Sequence, residues 1–286
     1  MSNFYTSKRK RIIGNVLRYV LMVLITCVLL FPYFYMLVNS LKSVEEIENP
    51  TSVFFPAIPQ FVNYVTVFKT GGYGEGILNT MAIIMFNLIA VPLSASIIAY
   101  SFVKLKWWGK DVMFTLMLGT MMLPSAVTQL PLYVIFSKIN FLNSILPFTI
   151  PNLFGGGAVY IFLICHFMRG IPNELDSAAK IDGANAFVRY IRIVFPLCQP
   201  VLIYVMVQVF IAYWGDYYGP MVYLTSSDAP KTVALVLYNF VTDNSTGEKI
   251  NVLMAGAAFM SIIPTIIFAF FQNQLIEGVT MSGLKG

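Results

Sequence analysis

The sequence predicts an all-α membrane protein of six transmembrane helices with a helix–turn–helix on its cytoplasmic side. Three observations carry this. First, 58% of the 286 residues are hydrophobic and 11% are charged, against about 25% charged in an ordinary soluble domain. Second, six charge-free runs stand between charged residues: Tyr19–Leu41, Gly76–Val103, Val112–Ser137, Ile139–Met168, Ile193–Gly215 and Ile250–Ile276. Each exceeds the roughly 20 apolar residues that cross a bilayer core, and none is long enough to cross twice. Barrel strands of about 10 alternating residues do not match such runs. Third, the stretch "ELDSAAKIDGANAFVRYIRIVFP", Glu174–Pro196, carries charges every few residues yet keeps apolar groups at helical spacing.

The elements follow in order. Residues 1–18 form a basic, cytoplasmic N-terminus. The first run is longer than the roughly 7–15 residues of a signal core and lacks a small-residue cleavage site before Lys42, so it reads as a retained span. Residues 19–276 form the six-helix domain. Within it, 42–75 is an outer loop rich in Pro and Gly. "KLKWWGKD" (104–111) is an inner turn whose Trp107 and Trp108 suit the headgroup boundary. A tight turn near Lys138 and Asn140 joins the third and fourth spans. Residues 172–196 are the cytoplasmic segment, 225–249 a polar external loop, and 277–286 a cytoplasmic tail. With the N-terminus inside, 13 of the 18 Lys and Arg fall on inner segments, as the positive-inside rule expects. A multi-pass cytoplasmic-membrane protein with both termini inside thus accounts for the basic balance, and no nucleic-acid partner is needed.

Little catalytic chemistry is visible. Gly109-Lys110 is followed by Asp111 and lacks the upstream glycine of a phosphate loop. His166 is the single histidine, which leaves no metal cluster or Ser–His triad; it reads as a hydrogen-bonded structural residue. Cys27, Cys165 and Cys198 show no metal spacing and no disulfide framework. "NST" at 244–246 matches a glycosylation acceptor only as a three-residue motif. Transport is the class left.

The segment 172–196 explains itself locally. Pro172 and Asn173 suit a helix start, with Asn173 as cap and Glu174 and Asp176 at the positive dipole end. Leu175, Ala178 and Ala179 put small apolar groups on one face. Gly183 ends this helix by taking positive φ. A second helix carries Phe187, Ile191 and Val194 at i, i+4, i+7, with Arg189 and Arg192 on another face. Pro196 closes it, and Pro200 opens the fifth span. A surface-lying linker fits the composition equally well.

The spacing of Ala178, Ala179, Gly183, Ile193 and Pro196, with "IDGA" at 181–184, resembles the cytoplasmic signature of ABC-importer permeases, Glu-Ala-Ala, three residues, Gly, nine residues, Ile, one residue, Leu-Pro. Ser177 stands where that pattern has Glu, and Phe195 where it has Leu. Other stretches are similar too: "NSLKS" (39–43), "QLPLY" (129–133), "RGIP" (169–172), Trp214, Asp216 and Pro220 in the fifth span, and the ending "GVTMSGLKG". The chain is identified as resembling the smaller permease of a maltose-type carbohydrate importer. That resemblance implies the type I importer fold, a second, larger permease, a cytoplasmic ATPase dimer holding ATP and Mg, and an external solute-binding protein. This chain itself would hold no cofactor. The coupling contacts would be Glu174, Asp176, Ser177, Ala178, Ala179, Asp182, Gly183, Ala184, Ile193 and Pro196. With Ser177 in place of Glu, the acidic contact with the ATPase falls to Asp176 or Glu174. The tail 280–286 would reach between the ATPases. Asp243, Asn244, Ser245, Thr246 and Gly247 would face the binding protein.

Asp216 is the one acid flanked by long apolar runs, and an intramembrane carboxylate points to function. With Tyr213, Trp214 and Tyr217 beside it, the group suits a sugar, whose hydroxyls need acceptors and whose C–H faces pack on rings; Tyr218 lies next to them. The other reading is that Asp216 ties helices together. Gln129 and Asn87 are further lining candidates. Rival functions are a permease for a non-sugar solute such as a polyol phosphate, a secondary transporter, which would show repeated halves, and a membrane enzyme.

Overall fold

A computed structural model describes residues 2–49, 51, 53–69, 72–243 and 249–283. These residues form α1 (Ser2–Ser40), α2 (Val44–Glu48), α3 (Val62–Lys69), α4 (Tyr73–Lys104), α5 (Lys110–Thr120), α6 (Ser125–Lys138), α7 (Ala158–Arg169), α8 (Asn173–Ile181), α9 (Ala186–Arg189), α10 (Phe195–Leu197), α11 (Gln199–Trp214), α12 (Tyr218–Tyr223), α13 (Val233–Asp243) and α14 (Ile250–Gly283), with two 3-10 turns, Leu146–Phe148 and Ile150–Phe154, and a π turn, Tyr190–Val194. The described residues contain no strand. This is the all-α class expected.

Among the described residues, four helical stretches are long and apolar enough to cross a membrane: Gly14–Ser40, Tyr73–Lys104, Leu146–Arg169 and Ile250–Gln272. A fifth exists if Ala186–Leu197 and Gln199–Trp214, bent by 73°, count as one span. The remaining predicted span, Val112–Ser137, is divided between α5 and α6 by Met121–Pro124. Pro124 lacks an N–H, and its ring disfavours helical backbone just before it.

The chain divides into two compact units. The first comprises residues 1–70 and 240–262. Its α1 leaves every side chain from Asn15 to Tyr35 exposed, which suits a helix solvated by lipid. Beyond α1, Ser43 caps α2 in a reciprocal capping box with Glu46, which satisfies two orphan N–H groups at once. Buried Asn63 then gathers the loop. Its Nδ2 donates to the Ser40 and Lys42 carbonyls at 2.9 and 3.0 Å, and its Oδ1 accepts from Asn251 at 3.0 Å.

The second unit comprises residues 71–239 and 263–286. Its core lies where α4, α7 and α11 meet, around Val91, Ala95, Ala99, Ile164, Cys165, Met168, Val205 and Val209. Ala95 and Ala99 have no exposed surface. Small residues at such i, i+4 positions let membrane helices approach closely. The fourth predicted span is broken: the 3-10 turns lead to Gly155, Gly156 and Gly157, all at positive φ, before α7 begins. A Cβ on Gly156 would stand 2.5 Å from Val91 Cγ1, so glycine here serves both the turn and close packing on α4. The turn after α6 is made by Asn140 and Asn143 in the left-handed region, the conformation asparagine tolerates best.

The segment 225–249, expected as a polar loop, contains α13. Val233, Ala234, Leu235 and Val236 are buried. The apolar run "TVALVLYNFV" is too short for a span but long enough for a helix.

Candidate functional site

The segment 172–196 forms the expected helix–turn–helix, α8 and α9. Gly183 has φ +82°, and the Ala184 N–H donates back to the Ala179 carbonyl at 2.9 Å, closing the helix end as a left-handed glycine allows. Glu174, Ser177, Ala178, Asp182 and Gly183 are exposed, and Ala179 and Ala184 are half-buried. Leu175 and Ile181 are exposed as well. An apolar, small-residue surface therefore stands open on this hairpin.

Four local expectations change. Asn173 does not cap α8; its Oδ1 accepts from Lys104 Nζ at 2.9 Å, while the same ammonium donates to the Ile171 carbonyl at 3.2 Å. Asn185, instead, caps α9, accepting from the Val188 N–H at 2.9 Å. Asp176 is turned inward, 2.6 Å from Arg189 Nη1, which pins α8 to α9. Glu174 is therefore the outward acid. Pro196 does not close the second helix. The chain winds through the π turn Tyr190–Val194 into α10, and Ile193 is half-buried there. The wider turn shifts the register, so Tyr190 and Val194 are buried while Phe187 and Ile191 are exposed. A 3.6-residue period places those faces differently.

The substrate-pathway candidates do not form one cluster. Asn87 is fully buried. Its Nδ2 donates to the Ile83 and Phe148 carbonyls at 2.9 and 2.8 Å, and its Oδ1 accepts from Asn152 Nδ2 at 2.8 Å. Asn152 also meets the Tyr213 hydroxyl and donates to the Phe148 carbonyl. Ser94 Oγ donates to the Asn152 carbonyl at 3.1 Å and accepts from the Gly155 N–H at 3.1 Å. These side chains satisfy the backbone of the broken span, which hydrocarbon cannot do. Trp214 is buried and stacks on Phe210 at 5.6 Å. Tyr217 is exposed and stacks on Tyr238 at 4.8 Å. Asp216 Oδ1 accepts from the Gly219 N–H at 3.0 Å, at the start of α12, and a Cβ on Gly219 would lie 2.6 Å from Asp216 Oδ2. This contact is local, three residues along the chain, and is not a tie from the acid to another helix. Gln129 is half-buried on α6.

Asp243 ends α13; Asn244, Ser245, Thr246 and Gly247 lie outside the described residues. In the tail, the backbone of α14 continues to Gly283, and 284–286 also lie outside the described residues. His166 is exposed, with its ring 6.3 Å from that of Phe162, and makes no hydrogen bond among the described residues. Its expected bonded role is not seen.

Asn152 and Ser94 escaped the sequence reading. The breaker density of "LPFTIPNLFGGG", two prolines and three glycines inside one apolar run, was the signal that could have found them.

Residues 90–280 match the family model of binding-protein-dependent transport system inner membrane components. The chain belongs to this family. The matched range contains the α8–α9 hairpin and the core of the second unit. This permease is similar to an ABC transporter permease protein of a Caldicellulosiruptor strain, 29% identical over 89% of this chain and 91% of the relative. It is similar to the arabinooligosaccharides transport system permease AraQ of Bacillus subtilis, 27% identical over 90% and 91%. The melibiose/raffinose/stachyose import permease MelC of the same organism is 26% identical over 92% and 94%. A chain in the crystal structure of a bacterial ABC transporter importing alginate shares the permease's fold with a TM-score of 0.77, at 22% identity, over 92% of this chain and 96% of that one. The chain is thus a multi-pass membrane permease of the ABC-importer class.

Proposed function

We propose that this permease carries a sugar or oligosaccharide inward, as half of a pathway completed by a second, larger permease. Six crossings, with both termini cytoplasmic, suit its charge-free runs and the inner bias of its basic residues. The substrate class rests on relatives named for arabinooligosaccharides, for melibiose, raffinose and stachyose, and for starch degradation products. The chain brings no ATPase site of its own; ATP and Mg are held by a partner ATPase dimer, and an external binding protein delivers the solute. A related importer was solved in complex with a pentasaccharide-bound periplasmic protein.

The single observation that carries the coupling role is the α8–α9 hairpin. It closes on Gly183, is pinned by Asp176–Arg189, and presents Leu175, Ala178 and Ile181 outward. Small residues permit close approach of a partner, and Glu174 beside them supplies charge. Seated in an ATPase cleft, a pinned hairpin moves as a body, so nucleotide-driven closure biases a two-state access equilibrium. Glu174, Ser177, Ala178, Ala179, Asp182 and Ala184 are the contacts we assign to the ATPase. Asp243–Gly247 we assign to the binding protein, and 280–286 to the space between the ATPases. The test is uptake of labelled raffinose, melibiose and arabinotriose by the reconstituted complex. Import of one of them that requires ATP and the binding protein supports the reading; ATP-independent exchange by the chain alone overturns it.

A further inference from the structure

The turn between α4 and α5 carries charge and aromatic surface that the coupling role does not use. Its two tryptophans are not alike. Trp107 folds back onto α4: its Nε1 donates to the Ser101 carbonyl at 3.2 Å, and its ring lies 5.7 Å from that of Phe102. Trp108 is 98% exposed and makes no hydrogen bond or ring contact among the described residues. The lysines divide in the same way. Lys104 is engaged, donating to the Ile171 carbonyl and to Asn173 Oδ1. That second bond puts the turn on the same side of the unit as the α8–α9 hairpin. Lys106 is exposed and has no hydrogen-bond or ion-pair partner among the described residues, and Lys110 has only the Leu105 carbonyl, at 3.3 Å. The ion pair seen among those residues, Asp176–Arg189, involves neither lysine.

These free groups share one cleft. Residues 106–113 line a space of about 550 Å³, within the roughly 300–1,000 Å³ of small-molecule sites. Its charged lining residues are Lys106, Lys110 and Asp111; two cations and one anion leave a net charge of +1. Asp111 stands in the first turn of α5, where the helix dipole favours a carboxylate. Directly along α5, Val112, Met113 and Leu116 are all exposed. Unpaired ammonium groups therefore meet an apolar stripe, on a turn that ends the membrane-spanning α4. This combination suits an amphiphile. Its phosphate lies beside the lysines, the Trp108 indole packs at the headgroup level, and an acyl chain follows α5. A soluble anion would use the lysines but not the stripe.

We propose that this cleft is a binding site for one anionic phospholipid of the leaflet on the hairpin side. The inference goes beyond the coupling role and holds whatever solute is carried. Its test is native mass spectrometry of the full chain in detergent, offered phosphatidylglycerol, phosphatidylethanolamine and phosphatidylcholine of equal chain length. One phosphatidylglycerol should be retained in preference to either zwitterionic lipid by about fivefold, the scale of one basic charge at an anionic surface. Lys106→Gln should remove the preference, because the net charge falls to zero, and Lys106→Arg should keep it. Lys106 is exposed with no bond to lose, so neither change disturbs folding. Asp111→Asn should strengthen the preference about fivefold further. With phosphatidylglycerol brominated on its acyl chains, tryptophan emission should be quenched, and Trp108→Phe should remove most of that quenching. Glycerol 3-phosphate, which has the head without the chains, should not displace the lipid. Equal retention of all three lipids by the unmodified chain overturns the proposal, as does a preference that survives Lys106→Gln combined with Lys110→Gln. Retention of phosphatidylethanolamine that depends on Asp111 overturns the anionic assignment. Displacement by glycerol 3-phosphate at the lipid's own concentration rules out a lipid as the ligand.

Discussion

Gly156→Ala isolates the close approach of the broken span to α4. The added Cβ would lie 2.5 and 2.7 Å from the two Val91 γ-methyls and 3.1 Å from Val91 Cβ. Val91 is almost fully buried, so it has no room to swing away. Overpacking of this kind costs about 1–3 kcal/mol. The backbone at φ +64° adds about 1–2 kcal/mol for a residue with a Cβ. The expected loss is therefore about 2–5 kcal/mol, read as a shift in the unfolding midpoint of the detergent-solubilised chain titrated with SDS. In a Val91→Ala background the γ-methyls are gone, so most of the packing part should vanish, leaving the backbone part of about 1–2 kcal/mol and the milder 3.1 Å approach to the Cβ of residue 91. Gly157→Ala is the control: φ is +121° there, with nothing within 4 Å of the added atom. It should lose about 1–3 kcal/mol and show no dependence on residue 91. Equal cost of Gly156→Ala with and without Val91 would refute the packing argument.

Further tests address other parts of the chain. Asn87→Ala removes ties from α4 to the Phe148 carbonyl and to Asn152 and should cost about 1–3 kcal/mol in the same titration. Gly183→Pro forces φ near −65° where the hairpin needs +82°; ATP hydrolysis should continue or assembly fail, with uptake lost in either case. Glu46 accepts from the Ala57 and Ser43 N–H groups, which hold its carboxyl below the usual value of 4.5. A depressed folded-state pKa gives stability that is present above about 4.5 and lost as pH falls through the lower folded value. Exchange of the Ala57 N–H should therefore speed up only at pH below 4.5, and Glu46→Gln should remove most of that dependence.

What was legible in the sequence follows from how each feature is encoded. Composition and charge-free runs reveal bilayer helices, because lipid forces every backbone group into helix. Gly183 was legible because a left-handed turn needs it at one position. Faces were harder. Phe187, Ile191 and Val194 read as one apolar stripe at a 3.6-residue period, but through the π turn Tyr190–Val194 only Val194 of the three is buried, together with Tyr190, while Phe187 and Ile191 are exposed. The partner of Asp176 was hidden because Arg189 lies on a different helix, and sequence spacing does not report contacts between helices. The broken fourth span was written in Pro147, Pro151 and the glycine triplet, yet mean hydropathy masked it. At the pathway candidates the sequence supplied residue types without partners. Asn87 and Tyr213 proved to meet through Asn152, whereas Asp216 turned to the Gly219 N–H.

Co-purification tests the central claim most directly. The tagged chain is expressed with its genomic neighbours and purified from membranes, unmodified and as Ala179→Trp, which fills the small-residue surface of the hairpin. The account predicts that an ATPase pair and a second permease accompany the unmodified chain, and that Ala179→Trp loses the ATPases but keeps the permease. An unmodified chain that purifies alone and transports sugar without ATP would contradict it.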